Sequence, residues 1–312
     1  MLRIAVPDLV SPSYFPAIAA VELGLARDEG LDVRLDLLYP VTDAAEALRT
    51  GEIDFLAGAA HAPMHAFPGW RGAKLVAALS QGMYWFLVMR ADSGIARGDL
   101  GALHEVRIGA APGPDLGLRQ LLVAAGIDTE RSGIEVGPVP ATEGAGTSFG
   151  LAAAQALEEG LIDGFWANGM GAELAVRHGT GTLVLDARRG DGPPGAEAYT
   201  FPALAVTDET IDRRPDAVAA MTRAIVRAQE ILRADPGRAT EVGERVFPPG
   251  EASLIADLVR RDAPYYDPRI DAETARALVD FGQRCGLLDA PVDYGAVVAT
   301  AFSDLWDTSP RG

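Results

Sequence analysis

The sequence predicts an α/β protein of two lobes, each a mostly parallel sheet flanked by helices, with two crossover segments joining them. Three observations predict it. The decapeptide Ala45–Asp54, AEALRTGEID, returns as AQALEEGLID at Ala154–Asp163, with six of ten positions identical and the copies 109 residues apart. Around each copy the same β-α-β-α-β order of patterns recurs, and such alternation implies parallel strands covered by helices. Finally, MYWFLVMRADSGI (Met83–Ile95) and YTFPALAVTDETI (Tyr199–Ile211) each set aromatics ahead of an apolar strand and a polar turn. These are the segments expected to carry the chain out of the first lobe and back.

The elements follow in order. LRIAVPD opens the first half as a strand. The run SYFPAIAAVELGLARDEG follows, with Ile18, Val21 and Leu25 at helical spacing and Gly30 beyond its end. Then come a strand LDVRLDLL, a helix DAAEALRTG and a strand IDFLAGAA. The second half reads VRIGAAPG, DLGLRQLLVAAG, IEVGPVP, SFGLAAAQALEEG and IDGFWANG. Gly51 and Gly160 stand just past their helices, where a left-handed residue ends the helix. The Pro-Gly-rich RRGDGPPGAEA (Arg188–Ala198) predicts a surface loop. From Arg214 onward RPDAVAAMTRAIVRAQEILRADP, DAETARALVDFGQRCG and YGAVVATAFSDLW predict helices. The expected boundaries are 1–90 with 206–312 for the first lobe, including the C-terminal helices, and 91–205 for the second.

Composition narrows the function classes. The 312 residues are 48% hydrophobic and 23% charged, ordinary for a globular chain with a sizeable core. A net charge of −17 argues against a nucleic-acid partner. No run reaches the roughly 20 apolar residues of a membrane helix. The opening MLRIAVPDLV lacks the basic and apolar regions of a signal peptide. The single cysteine, Cys285, excludes an internal disulfide and is expected to be a small buried residue. The histidines at 61, 65, 104 and 178 show no metal-ligand spacing. No metal and no cofactor are expected.

Several segments together resemble the type II periplasmic substrate-binding proteins, and more narrowly the family serving nitrate, alkanesulfonate, taurine and thiamine-pyrimidine-precursor transporters. They are SYFPAIAAVELGLARDEGLDV, AEALRTGEIDF, GAKLVAAL, VRIGAAPGPDLGLRQLLVAAGI, AAAQALEEGLIDGFW and RPDAVAAMTRAIVRAQEILRADP. The resemblance covers most of the chain and is more specific for fold than for ligand. It implies two lobes that close on a small molecule and present it to an ABC permease, with the protein a monomer in the periplasm. The absent leader departs from it and implies the cytoplasm if Met1 is the native start.

In open parallel sheets, ligands bind beyond the carboxyl ends of the strands. The loops there are DLVSPSYF (Asp8–Phe15) and GAAHAPMH (Gly58–His65) in the first lobe. In the second they are APGPDLG (Ala111–Gly117), TEGAGTS (Thr142–Ser148) and WANGM (Trp166–Met170). Duplication sets the two edges on either side of a cleft. Helix N-termini in such loops favour an anionic group, each by roughly 0.3–1 kcal/mol and about 2 when partly buried. Micromolar affinity needs about 8 kcal/mol, so enclosure of apolar and aromatic surface must supply most of it. The candidate ligand contacts are accordingly Tyr14, Phe15, Tyr84, Trp85 and Trp166, with Ser11, Ser13, His61, Pro114, Asp115 and Asn168 as polar or loop contacts. Each has a structural alternative. Phe15 and Tyr14 would pack at the start of the helix, Ser11, Ser13 and Asp115 would cap helices, and Asn168 would turn the chain. Tyr84 and Trp85 alternate on a strand, which predicts opposite faces and one core ring.

Three functions compete. The first is non-catalytic capture of a small anionic or aromatic organic molecule, a sulfonate, carboxylate or pyrimidine precursor. The second is an enzyme on the same scaffold, since relatives of the resembled family include a desulfinase and enzymes of pyrimidine-precursor and dihydroxyphthalate metabolism. His61 and Arg71, ten residues apart, match the desulfinase pattern, while its nucleophilic cysteine is replaced by serines. There Ser13, His61 and Arg71 would act, and a serine nucleophile needs a base within hydrogen-bond reach. The third, a transcription-factor effector domain, lacks space ahead of Ile4 for a helix-turn-helix.

Overall fold

The computed structural model describes residues 1–140 and 148–307. Along the chain, β1 (Leu2–Val6) leads to α1 (Phe15–Glu22) and α2 (Leu25–Asp28), followed by β2 (Val33–Leu37) and α3 (Val41–Arg49). Then come β3 (Phe55–Ala59), α4 (Pro63–Ala66) and β4 (Ala73–Ala78). The next elements are β5 (Phe86–Arg90), β6 (Arg107–Ala110), α5 (Asp115–Ala124) and β7 (Glu135–Gly137). They are followed by α6 (Phe149–Glu158), β8 (Gly164–Ala167), α7 (Gly169–Arg177), β9 (Gly181–Asp186) and β10 (Pro202–Thr207). The remaining helices are α8 (Asp208–Arg213), α9 (Pro215–Ala234), α10 (Arg238–Val246), α11 (Pro249–Ala252), α12 (Ile255–Asp262), α13 (Ala272–Arg284) and α14 (Tyr294–Val297). No described helix is long and apolar enough to cross a membrane.

Two compact units emerge, one of Met1–Gln81 with Thr200–Gly312 and one of Gly82–Tyr199. The first holds a sheet in the order β2-β1-β3-β10-β4, the second one in the order β7-β6-β8-β5-β9. β1 runs parallel to β2 and β3, and β6 parallel to β7 and β8. The fourth strand of each sheet is antiparallel to both neighbours, and each carries one register shift, at Leu204/Ala205 and at Leu87/Val88. That fourth strand follows directly on a chain crossing in both units. The expected boundaries therefore move. β5 lies within 1–90 yet pairs into the second sheet, and β10 begins at Pro202, before position 206, and pairs into the first.

The repeated decapeptide has a physical explanation. Ala44, Ala45, Ala47, Leu48, Ile53 and Leu56 sit in the core of the first unit. Their counterparts 109 positions on, Ala153, Ala154, Ala156, Leu157, Ile162 and Phe165, sit in the core of the second. Gly51 and Gly160 end α3 and α6 at φ +74° and +73°, where a side chain would be strained. The aspartates that follow clamp the neighbouring strand twice. Asp54 Oδ2 accepts from the Arg3 N–H at 2.8 Å while its own N–H reaches the Arg3 carbonyl. Asp163 makes the same pair of bonds with Arg107.

The helix expected over Ser13–Gly30 divides into α1 and α2 at Gly24, whose φ of +77° ends the first piece. α9 presents Val218, Met221, Thr222, Ile225, Gln229 and Leu232 as one buried stripe, the three- and four-residue spacing of an amphipathic helix. YGAVVATAFSDLW is only briefly α-helical: after α14, Val298 bridges Leu75 and Thr300–Trp306 winds as 3-10 turns.

Candidate functional site

The carboxyl edge of each sheet gathers the chemistry. In the first unit Pro202 pairs with Ala59, so the start of antiparallel β10 lies at the end of β3. Thr200 is thereby placed beside His61, whose Nδ1 lies 3.0 Å from Thr200 Oγ1. The imidazole is fully buried and meets Phe281 edge-on at 5.5 Å between ring centroids. His65 and Arg71 are exposed.

The loop after β1 is buried and closely hydrogen-bonded. Asp8 Oδ1 accepts from the Val10 N–H at 2.8 Å, and Tyr266 donates to the Pro12 carbonyl at 2.7 Å. Ser13 Oγ donates to Asp262 at 3.1 Å. Ser11 Oγ is fully buried and, among the described residues, has no hydrogen-bond partner. Neither serine caps α1, whose N-cap is Tyr14 without a side-chain bond. The capping expectation fails because both hydroxyls sit upstream of the final turn into the helix. Tyr14 is buried, and Phe15 packs against Phe247 at 6.0 Å, edge to face. Across the same edge, burial and then the Asp8 carboxylate push the Tyr39 phenol above its ordinary value.

In the second unit Phe86 pairs with both Ala167 and Asp186. The residues before β5 and after β9 thus share the edge where β8 ends. Tyr84 and Trp85 precede the strand instead of alternating along it. Both are buried, their rings 4.4 Å apart, and Trp85 lies 6.2 Å from Trp166. The expectation of opposite faces is corrected: a strand that starts at Phe86 leaves both rings free to turn into one cluster. Trp166 is fully buried and donates its Nε1–H to the Pro114 carbonyl at 3.0 Å, tying β8 to the loop before α5.

Asp115 is the first residue of α5, not its cap, which is Pro114. Its oxygens accept from the Gly113 N–H and from Arg119, both at 3.0 Å. Asn168 caps α7, accepting from the Met170 N–H at 3.1 Å. Of the loop Thr142–Ser148, residues 142–147 lie outside the described residues, while Ser148 caps α6.

Arg188 escaped the sequence reading, which assigned it to a surface loop. It is 7% exposed, lies 6.0 Å from the Tyr84 ring centroid and donates to the Gly82 carbonyl at 3.3 Å. Over an aromatic face a guanidinium is held where it can meet a planar anion. Among the described residues, no three His, Cys, Asp or Glu side chains gather as a metal site.

The model of the NMT1-like family matches residues 11–246. The chain belongs to that family. No curated protein matches the sequence. Solved structures share its fold at low identity. The alkanesulfonate-binding protein SsuA from Xanthomonas axonopodis pv. citri, bound to MOPS, is 15% identical over 95% of this chain and 97% of its own, with a TM-score of 0.70. The periplasmic nitrate-binding protein NrtA from Synechocystis PCC 6803 is 16% identical over 98% and 86%, with a TM-score of 0.71. The desulfurization enzyme DSZB is 17% identical over 97% and 98%, with a TM-score of 0.61. The fold of this NMT1-like protein is that of the two-lobed type II periplasmic binding proteins, as its sequence resemblance implied.

Proposed function

We propose that this NMT1-like protein is the substrate-binding component of an ABC-type importer, working in the periplasm as a monomer with a membrane permease. Its ligand is a small anionic or aromatic organic molecule, taken up by loops at a sheet's carboxyl edge. The observation that carries the reading is the company of a buried Arg188 with Tyr84, Trp85 and Trp166 at one such edge. Rings supply apolar area for a planar ligand body, and guanidinium matches a carboxylate or sulfonate with two parallel donors. In the first unit, Ser11 Oγ offers a hydroxyl with no competing protein partner.

The catalytic alternative draws on the likeness to DSZB and on the buried, hydrogen-bonded His61. Against it, Ser13 bonds to Asp262 and Ser11 to nothing, so neither serine engages His61, and Arg71 is exposed.

One experiment separates the two. The protein is titrated calorimetrically with benzoate, benzenesulfonate, an alkanesulfonate, nitrate and an aminopyrimidine, and each mixture is then analysed by mass spectrometry. The expected result is saturable binding of an anionic member, recovered unchanged, with affinity at least about tenfold lower in Arg188→Met, equivalent to ~1.4 kcal/mol. Binding of none of these would overturn the capture reading. Steady product formation that disappears in His61→Ala would establish the enzyme instead.

A further inference from the structure

Among the described residues, β2 is the outermost strand of the first unit's sheet and pairs on one side only, with β1. The Leu2 N–H reaches the Asp32 carbonyl, and the Leu38 N–H reaches the Val6 carbonyl. In a parallel ladder, alternate residues of a strand direct both backbone groups to one neighbour and the residues between direct both to the other side. The even-numbered residues of β2 therefore face β1. Val33, Leu35 and Leu37 turn their N–H and C=O groups to the open edge, a ready template for another strand.

Along this edge runs a groove of about 560 Å³. Leu31, Val33 and Leu35, all half-buried, line it within a mainly polar surface. Arg27, Arg34 and Arg245 stand on its rim, with Glu22 and Asp32. Arg34 is neutralised by Asp36 at 2.9 Å, and Asp32 lies 3.8 Å from the N-terminal ammonium. Arg245 donates only to the Glu22 backbone carbonyl, at 2.5 Å. Among the described residues, neither Arg27 nor Arg245 meets a carboxylate, in a chain whose net charge is −17. The groove thus joins an unsatisfied strand edge, three aliphatic side chains and two cations lacking counter-charges.

We infer that this groove docks an acidic, extended polypeptide segment of a partner protein, which adds to the sheet beside β2. Its backbone pairs with Val33, Leu35 and Leu37, its alternate apolar side chains lie against Leu31, Val33 and Leu35, and its carboxylates meet Arg27 and Arg245. Strand addition of this kind takes affinity from main-chain bonds and specificity from the side chains between them. A second copy of the same chain is the poorer occupant, because it brings another 17 negative charges to the contact.

The test uses the whole protein with two fluorescein-labelled octapeptides, one alternating Glu and Val, the other Lys and Val. Anisotropy should show the Glu-Val peptide binding, weakening as salt is raised, and at least tenfold weaker in the Arg27→Glu/Arg245→Glu variant. Amide hydrogen exchange should slow at Val33, Leu35 and Leu37 in the complex. If the double variant does not fold, Arg27→Ala, which removes a side chain with no bond of its own, should still weaken binding about threefold. Equal binding of the Lys-Val peptide, or unchanged exchange at these three amides, would sink the proposal. A dimer seen by light scattering and dissolved by the double variant would also overturn it, by assigning the edge to a second copy.

Discussion

Replacing Trp166 with Phe tests whether one indole N–H holds the carboxyl edge of the second unit's sheet together. The bond to the Pro114 carbonyl is 3.0 Å long and buried, and the indole is fully enclosed. Phenylalanine keeps an aromatic ring but removes the donor. The Pro114 carbonyl keeps the Gly117 N–H at 3.1 Å but loses its indole donor, at about 0.5–1.5 kcal/mol. Losing part of the bicyclic ring from a closed core adds about 1–2 kcal/mol in transfer and cavity terms. The expected loss is thus roughly 1.5–3.5 kcal/mol. At an m-value of about 2 kcal/mol/M, that moves a urea midpoint down by about 1–2 M. Far-UV circular dichroism reads it without relying on the missing fluorophore. Trp306→Phe is the internal control. Its Nε1–H also donates to a backbone carbonyl, Val76, at 2.9 Å, but from a half-buried site where water can replace the donor. It should cost about 1 kcal/mol. If Trp166→Phe costs no more than Trp306→Phe, the buried bond does not hold this edge and the reasoning fails.

Further outcomes follow from single groups. Ser11→Ala removes a buried hydroxyl that has no partner. It should leave the ligand-free melting temperature unchanged or higher, while weakening ligand binding by calorimetry; a clear loss of stability would contradict this. Gly171→Ala should be severely destabilising, by more than ~3 kcal/mol, because the new methyl would lie 2.4 Å from the Gly150 carbonyl oxygen, between α6 and α7. Gly137→Ala, with nothing among the described residues within 4 Å of the added carbon, should melt close to the parent. Tyr39 titrates above 10.0 because burial and the Asp8 charge disfavour phenolate. Its contribution to stability is whole below 10.0 and falls as pH rises through the elevated value. Asp8→Asn should bring the ultraviolet-monitored ionisation of Tyr39 back toward 10.0.

The parts of the fold that were legible in the sequence are those written by local rules. The decapeptide combined a helix face, a left-handed glycine and a strand-opening aspartate, and all three recur in both units. Other features depend on distant partners. The sequence could not show that Ser13 would turn to Asp262, 249 positions away, in place of capping a helix. Nor could it show that Arg188 would be buried, because a Pro-Gly-rich run signals a turn and says nothing of what covers it. Tyr84 and Trp85 fell between these cases. Their apolar character was plain, but a shift of two residues in the start of a strand decides whether neighbouring rings separate or meet. Charge gave a global sign and no local one, so the guanidiniums beside β2 emerge only when their neighbours are known.

The position of the antiparallel strand in each sheet bears on how the chain is made. Everything the second unit needs lies in one continuous stretch, Gly82–Tyr199, so it can finish folding as soon as that stretch leaves the ribosome. The first unit cannot. β3 and β4 are neighbours only through β10, and β10 is synthesised after the whole second unit. At roughly 5–20 residues per second, the N-terminal strands wait on the order of ten seconds with a gap between them, exposed to wrong pairing. Chaperone dependence and slow-translation sensitivity should therefore map to the opening 81 residues, although they are the first to be made.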